Sequence, residues 1–161
     1  MAKVARHTRV KLTPGMVFAI PRPGGEYYLI IHLASNRFGE AFGLTAGWQS
    51  DISQTQDLWP HPYQAYVYTG STLITFGKWQ YVGDRPDLLA SYPSEPEIYH
   101  SKMDNQNNPV IGPYGAAETA CGRIRCLNED EYFASPLVNS DFRQIVLEEQ
   151  VEESLSRWEK L

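Results

Sequence analysis

Residues 12–33 read LTPGMVFAIPRPGGEYYLIIHL, from Leu12 to Leu33, and this stretch decides the fold. Thr13-Pro14-Gly15 is a turn, and Met16 to Ile20 is a short apolar run of strand formers. Pro21 to Gly25 can reverse the chain, because Gly24 and Gly25 reach positive φ at no steric cost. Tyr27 to Leu33 is a second apolar run. The pattern predicts a β-hairpin that opens an antiparallel core.

Working outward, Ser35-Asn36-Arg37 reads as a turn and Phe38 to Thr45 as a strand. Phe38, Glu40, Phe42 and Leu44 fall on one face and Gly39, Ala41 and Gly43 on the other. A row of small residues lets a bulky aromatic or another backbone approach closely. Trp48 to Pro62 is a long polar connection; Pro60 and Pro62 exclude a central strand there. Strands are expected over Tyr63 to Tyr68, Thr72 to Phe76 and Lys78 to Val82. Asp87 to Pro96 reads as a loop with one helical turn, and Glu97 to His100 as a short edge strand. Asp104 to Gly115 is an exposed loop, and Ala117 to Leu127 a last strand.

The C-terminus changes period. Leu147, Val151, Leu155 and Trp158 recur at helical spacing, led in by Phe142 and Ile145. Asp141 can act as N-cap with Gln144 three residues on, as in a capping box. Glu153 and Arg157 form a favourable i,i+4 pair. A helix is expected over residues 141–160, with its apolar stripe against the sheet. The fold class is α+β: a mainly antiparallel, strongly bent sheet or partial barrel carrying one C-terminal helix. Residues 1–11 form a basic arm and 12–161 one β-rich domain.

Composition narrows the class. A chain of 161 residues with 42% hydrophobic content can bury a real core and is not a disordered polymer. No run reaches the length of a membrane span. Met1 to Lys11 lacks the apolar segment of a secretory signal, so cytoplasmic residence is expected. Cys121 and Cys126, read on one strand, would lie on opposite faces about 16 Å apart. Both are therefore expected as free thiols, as suits a reducing compartment. The net charge of −5 is unevenly spread. Lys3, Arg6, Arg9, Lys11 and Arg22 all precede the first acid, Glu26. The basic arm reads as a solvated terminus more readily than as a nucleic-acid contact.

Chemistry-bearing motifs are few. His7, His32, His61 and His100 come from separate elements, and none has a second ligand at metal-site spacing, so no metal and no cofactor are expected. Asp104-Asn105-Gln106-Asn107-Asn108 fails as a calcium loop: Pro109 stands where glycine is needed, and Gly115 where a carboxylate is. No serine sits in a Gly-x-Ser-x-Gly elbow. Two regions remain as candidate surfaces. One is the acidic helix face of Glu148, Glu149, Glu152 and Glu153, either simply solvated or a dock for a basic partner. The other is the connection carrying Trp48, Trp59, His61 and Tyr63, whose aromatics either plug the core or anchor a ligand.

Pro14-Gly15-Met16-Val17-Phe18-Ala19-Ile20-Pro21 followed by Gly24-Gly25-Glu26-Tyr27-Tyr28 resembles the opening of the immunity protein 26 family. Lys78-Trp79-Gln80-Tyr81-Val82-Gly83, with Pro93 and Pro96 beyond it, resembles that family's second landmark, a tryptophan strand ending in glycine. The similarity runs from Leu12 to about Glu97. It implies a bacterial polymorphic toxin system and a protein that binds and neutralises a toxin without catalysis. A basic nuclease toxin would suit the acidic helix, with Trp59, His61 and Tyr63 as a second contact. Two other readings stay open: a small-molecule or glycan module built on an aromatic cleft, and a hydrolase in which His32, His61 or His100 meets Cys121 or a carboxylate.

Overall fold

The computed structural model describes residues 9–52, 55, 58–60, 65–100, 105–106, 111–133 and 145–158. The opening hairpin forms as expected, from β1 (Met16–Pro21) and β2 (Tyr27–Asn36). Its turn is closed by the Gly25 N–H on the Arg22 carbonyl, with Gly24 and Gly25 at φ +113 and +90. β3 (Gly39–Gln49) pairs with β2, β4 (Tyr66–Thr69) with β3, and β5 (Gln80–Asp84) with β1. The order is therefore β4-β3-β2-β1-β5, antiparallel throughout and not closed into a barrel. A second sheet holds β6 (Ile98–His100), β7 (Ala116–Glu118) and β8 (Ile124–Cys126) in that order, which makes β6 the edge strand its sequence suggests.

Both faces of the main sheet are covered, which explains why residues 28–33 are buried without a break. Phe18, Ile20, Tyr28, Ile30, Phe42 and Leu44 face a core shared with α3 (Glu148–Trp158), through Val151 and Leu155. Val17, Ala19, Leu29, Ile31 and Ala41 face a second core, closed by Leu58, Leu88, Tyr92 and Ile98. An alternating strand buried on both sides reads as a continuous apolar run. The glycine face of β3 works as its composition indicates. A Cβ on Gly43 would lie 2.6 Å from the Tyr92 ring, whose hydroxyl donates to the Leu44 carbonyl. Phe38 departs from its expected face. It sits in the β2–β3 turn, just before Gly39 at φ +115, and packs in the second core on Tyr68.

Three expected elements are corrected. Residues 72–75 form a helical turn, α1 (Thr72–Thr75), instead of a strand. Gly70 and Gly77 bracket it, the Thr75 side chain donates to the Ser71 carbonyl, and Leu73 O receives the N–H groups of Lys78 and Trp79. That closure outweighs the β-branched composition. The strand expected over Ala117 to Leu127 is a hairpin, in which Ala116 faces Cys126 and Glu118 faces Ile124. Its turn is made by Gly122 at φ +91, whose N–H reaches the Thr119 carbonyl. The C-terminal helix begins at Glu148, not at 141; Asp141, Phe142 and Gln144 lie outside the described residues. Ile145 and Val146 run extended beside β4, with the Val146 N–H on the Tyr68 carbonyl. Leu147 is 67% exposed and caps the helix, its N–H bound by the Gln150 side chain. Of the expected stripe, Val151 and Leu155 are buried, and the Trp158 side chain is outside the description. The short helical turn expected after Asp87 is a 3-10 helix (Pro86–Ser91), and α2 (Glu129–Phe133) follows β8.

Leu155 is fully buried, so Leu155→Ala should lower the unfolding free energy by about 2–5 kcal/mol. Gly43→Ala should also destabilise, because the Tyr92 ring must leave its seat. Urea denaturation of both variants measures this, and wild-type midpoints would refute the packing described.

Candidate functional site

The acidic helix face divides into two pairs. Glu148 is buried and accepts the Leu73 N–H at 2.9 Å, which fixes the start of α3 to α1. Burial raises its pKa, and the neighbouring Glu149 and Glu152 act in the same direction. Glu152 accepts the Trp79 indole N–H at 2.9 Å and pairs with Lys78 at 3.0 Å. These two carboxylates hold the helix to the approach of β5, which corrects the expectation of four solvent-facing acids. Glu149 and Glu153 remain exposed on the outer ridge. The period-3.6 pattern places all four on the surface; the inward pair is set by the Leu73 N–H and the Trp79 indole.

In the aromatic connection, His61 and Tyr63 lie outside the described residues. Trp59 is 73% exposed, whereas its neighbour Leu58 is 2% exposed and fills the second core. Pro60 on the other side is bridged to Thr45 of β3. Trp59 is thus held out into solvent between two anchored neighbours, and the plug is Leu58. Trp48 is half-buried, with its ring against Tyr28 and the Arg22 guanidinium 4.7 Å from its centroid.

The hydrolase reading asks for a histidine that meets a carboxylate, and His32 does so on the helix side of the sheet, although the sequence did not name Ser35 and Glu40 as its partners. His32 is fully buried, and its Nε2 lies 2.8 Å from Glu40 Oε2 and 3.3 Å from Ser35 Oγ. Ser35 also donates to Glu40. The register shift between His32 and Ala34 brings these groups together across the β2–β3 hairpin. Serine, histidine and acid are therefore adjacent, but serine and acid meet the same ring nitrogen. A proton relay needs them on opposite nitrogens. Nδ1 is buried with no hydrogen-bond partner. Among the described residues no three His, Cys, Asp or Glu side chains gather into a metal-binding group, and no helix is long and apolar enough to cross a membrane.

Among the described residues, the small sheet carries the densest ion pairing. Arg37 reaches from the β2–β3 turn to Glu118 and the Ala120 carbonyl, and His100 lies 2.9 Å from Glu118. Burial works to raise the Glu118 pKa, but the hydrogen bonds from Arg37 and His100 outweigh it and hold it below the usual range. Arg125 is forked between Glu97 and Glu131. Cys121 and Cys126 are exposed free thiols. The hairpin, not opposite strand faces, keeps them apart. The Thr119 hydroxyl, 3.0 Å from Cys121, and then Arg123 lower the Cys121 pKa. The alternation Thr119, Cys121, Arg123 was visible in the sequence, but read as a strand it did not suggest this contact.

Comparison with known protein families, characterised proteins and solved structures finds no match to this chain.

Two outcomes follow from the charges. Glu118, whose pKa is depressed, stabilises the fold above the ordinary glutamate range and loses that contribution as pH falls through its folded value. Glu148, whose pKa is raised, has the opposite sign: its favourable term is complete in acid and is lost as pH rises through its folded value. Glu118→Gln should therefore destabilise at pH 7, with the deficit closing in acid. Glu148→Gln, which keeps an acceptor for Leu73, should be neutral or stabilising at pH 7. Thermal melts across pH check both, and the reverse order would contradict the assignment. Separately, alkylation by iodoacetamide near neutral pH should be faster at Cys121 than at Cys126, and Thr119→Val should narrow the gap.

Proposed function

We propose that the protein is an immunity-type inhibitor, a non-catalytic cytoplasmic protein that binds a bacterial protein toxin and blocks it. The observation that carries this reading is Trp59, a large aromatic held 73% exposed by a buried Leu58 and a bridged Pro60. Binding free energy concentrates in rigid aromatic anchors, because little conformational freedom is lost when they are covered. The likeness of Leu12–Glu97 to the immunity protein 26 family supplies the class of partner. Glu149 and Glu153, on the outer ridge of α3, supply negative charge that would steer a basic nuclease toxin. His61 and Tyr63 extend the aromatic contact in this reading.

The test uses an inactivated toxin domain encoded in the adjacent reading frame, titrated against the purified protein. Wild type should bind one to one. Trp59→Ala should keep its melting temperature and weaken binding about thirtyfold or more, the loss expected of a central anchor. Glu149→Gln with Glu153→Gln should slow association at low salt and leave dissociation nearly unchanged. An absent toxin frame, absent binding, or wild-type affinity in Trp59→Ala would each overturn the proposal.

A further inference from the structure

Trp59 reaches solvent from a segment fixed at its neighbours, and the fixing point on the sheet is Thr45, to which Pro60 is bridged. Thr45 lies in an irregular part of β3. Tyr28 faces Trp48 and Ile30 faces Leu44, so Thr45, Ala46 and Gly47 stand opposite Leu29 alone. A ladder broken in this way leaves backbone carbonyls to find other partners, and a bulge without them is free to shift. Here three side-chain hydroxyls each take a carbonyl: Tyr28 donates to that of Thr45, Thr45 Oγ1 to that of Leu29 at 2.5 Å, and Tyr92 to that of Leu44.

The two phenols come from opposite faces of the sheet. Tyr28 belongs to the first core and Tyr92 to the second, which also holds Leu58. The bulge is therefore gripped on both sides, and through Pro60 and Leu58 the grip extends to both neighbours of Trp59. Tyr28 contributes in two separable ways. Its ring fills the first core and meets Trp48 edge-on at 5.5 Å, which phenylalanine would do equally. Its hydroxyl alone reaches the bulge. Burial raises the pKa of that hydroxyl, so it keeps the donated proton at any working pH. We propose that the Tyr28 hydroxyl is a positioning group for Trp59: with Thr45 it locks the bulge that receives Pro60, and the anchor is held in place before a partner arrives. An anchor ordered in advance loses less freedom on being covered. The use made of Trp59 rests on the toxin reading; the lock is a property of the free protein and is measured there.

Backbone amide relaxation by NMR tests it. In wild type, Trp59 should show an order parameter of about 0.85, as a rigid backbone does. Tyr28→Phe should bring Trp59 below about 0.6 and leave Trp79 unchanged. Thr45→Val, which removes the bond to Leu29, should loosen Trp59 in the same way, and it carries the test where Tyr28→Phe does not fold. Tyr66→Phe is the control: it deletes a second-core tyrosine hydroxyl bonded to Glu97 and should leave Trp59 rigid, whatever it costs in stability. Against the inactivated toxin, Tyr28→Phe should bind about two- to tenfold more weakly, the penalty of ordering the released segment. A mobile Trp59 in wild type, a rigid one in the variant that carries the test, equal loosening by Tyr66→Phe, or unchanged toxin affinity in a loosened variant would overturn the inference. Loosening by Tyr28→Phe in a protein that binds no toxin would remove the toxin reading and leave the lock standing.

Discussion

The hydrogen bond from the Trp79 indole to Glu152 is the contact on which the architecture turns. Trp79 is among the largest fully buried side chains, and its ring meets Phe42 edge-on in the middle of the first core. A buried indole N–H requires an acceptor, and here the acceptor comes from the C-terminal helix. Glu148 makes the equivalent bond one turn earlier, to the backbone at Leu73. Two carboxylates therefore orient α3 over residues 73–79, and Val151 and Leu155 add the apolar contact. The chain's last helix is thereby fastened to the segment that leads into an edge strand of the sheet.

The second sheet is fastened by a different kind of contact. Ile98 enters the second core, but most of the attachment is polar. Tyr66 exchanges hydrogen bonds with Glu97, Tyr68 donates to Pro96, and Arg37 grips the hairpin turn. The helix side of the molecule thus joins buried area to its two carboxylate bonds, and the small sheet joins neutral tyrosine bonds to the charge-assisted bonds of Arg37 near the surface. Such bonds weaken with salt and acid to a degree that packed carbon does not.

Legibility in the sequence followed the range of the interactions. The β1–β2 hairpin was readable because its turn glycines and apolar runs are neighbours in the chain. The short strand before His100 and the helical turn after Asp87 were readable for the same reason. Thr72–Thr75 was misread because β-branched composition points to a strand, while the turn is imposed by closure onto Leu73 O. The Ala117–Leu127 stretch concealed a reversal at Gly122 within an otherwise alternating pattern. At the candidate sites, exposure of Trp59 could not be derived from residues 58–60 alone, since it depends on Leu58 winning the place in the core. The inward turn of Glu148 and Glu152 depends on partners more than seventy residues away. The His32 cluster depends on a register shift that no local pattern announces.

The two margins of the main sheet have a consequence for behaviour at high concentration. Along β4, the segment 145–146 lies against the strand and occupies part of its outer side. Along β5, Val17 faces Gly83 and Phe18 faces Tyr81, so Val82 is an additional residue that interrupts the regular spacing. A strand from another molecule would find one margin partly occupied and the other out of step. Growth of the sheet into ordered aggregates is thereby hindered at both ends. A protein with such long apolar strands can then accumulate in its folded form without templating its own precipitation.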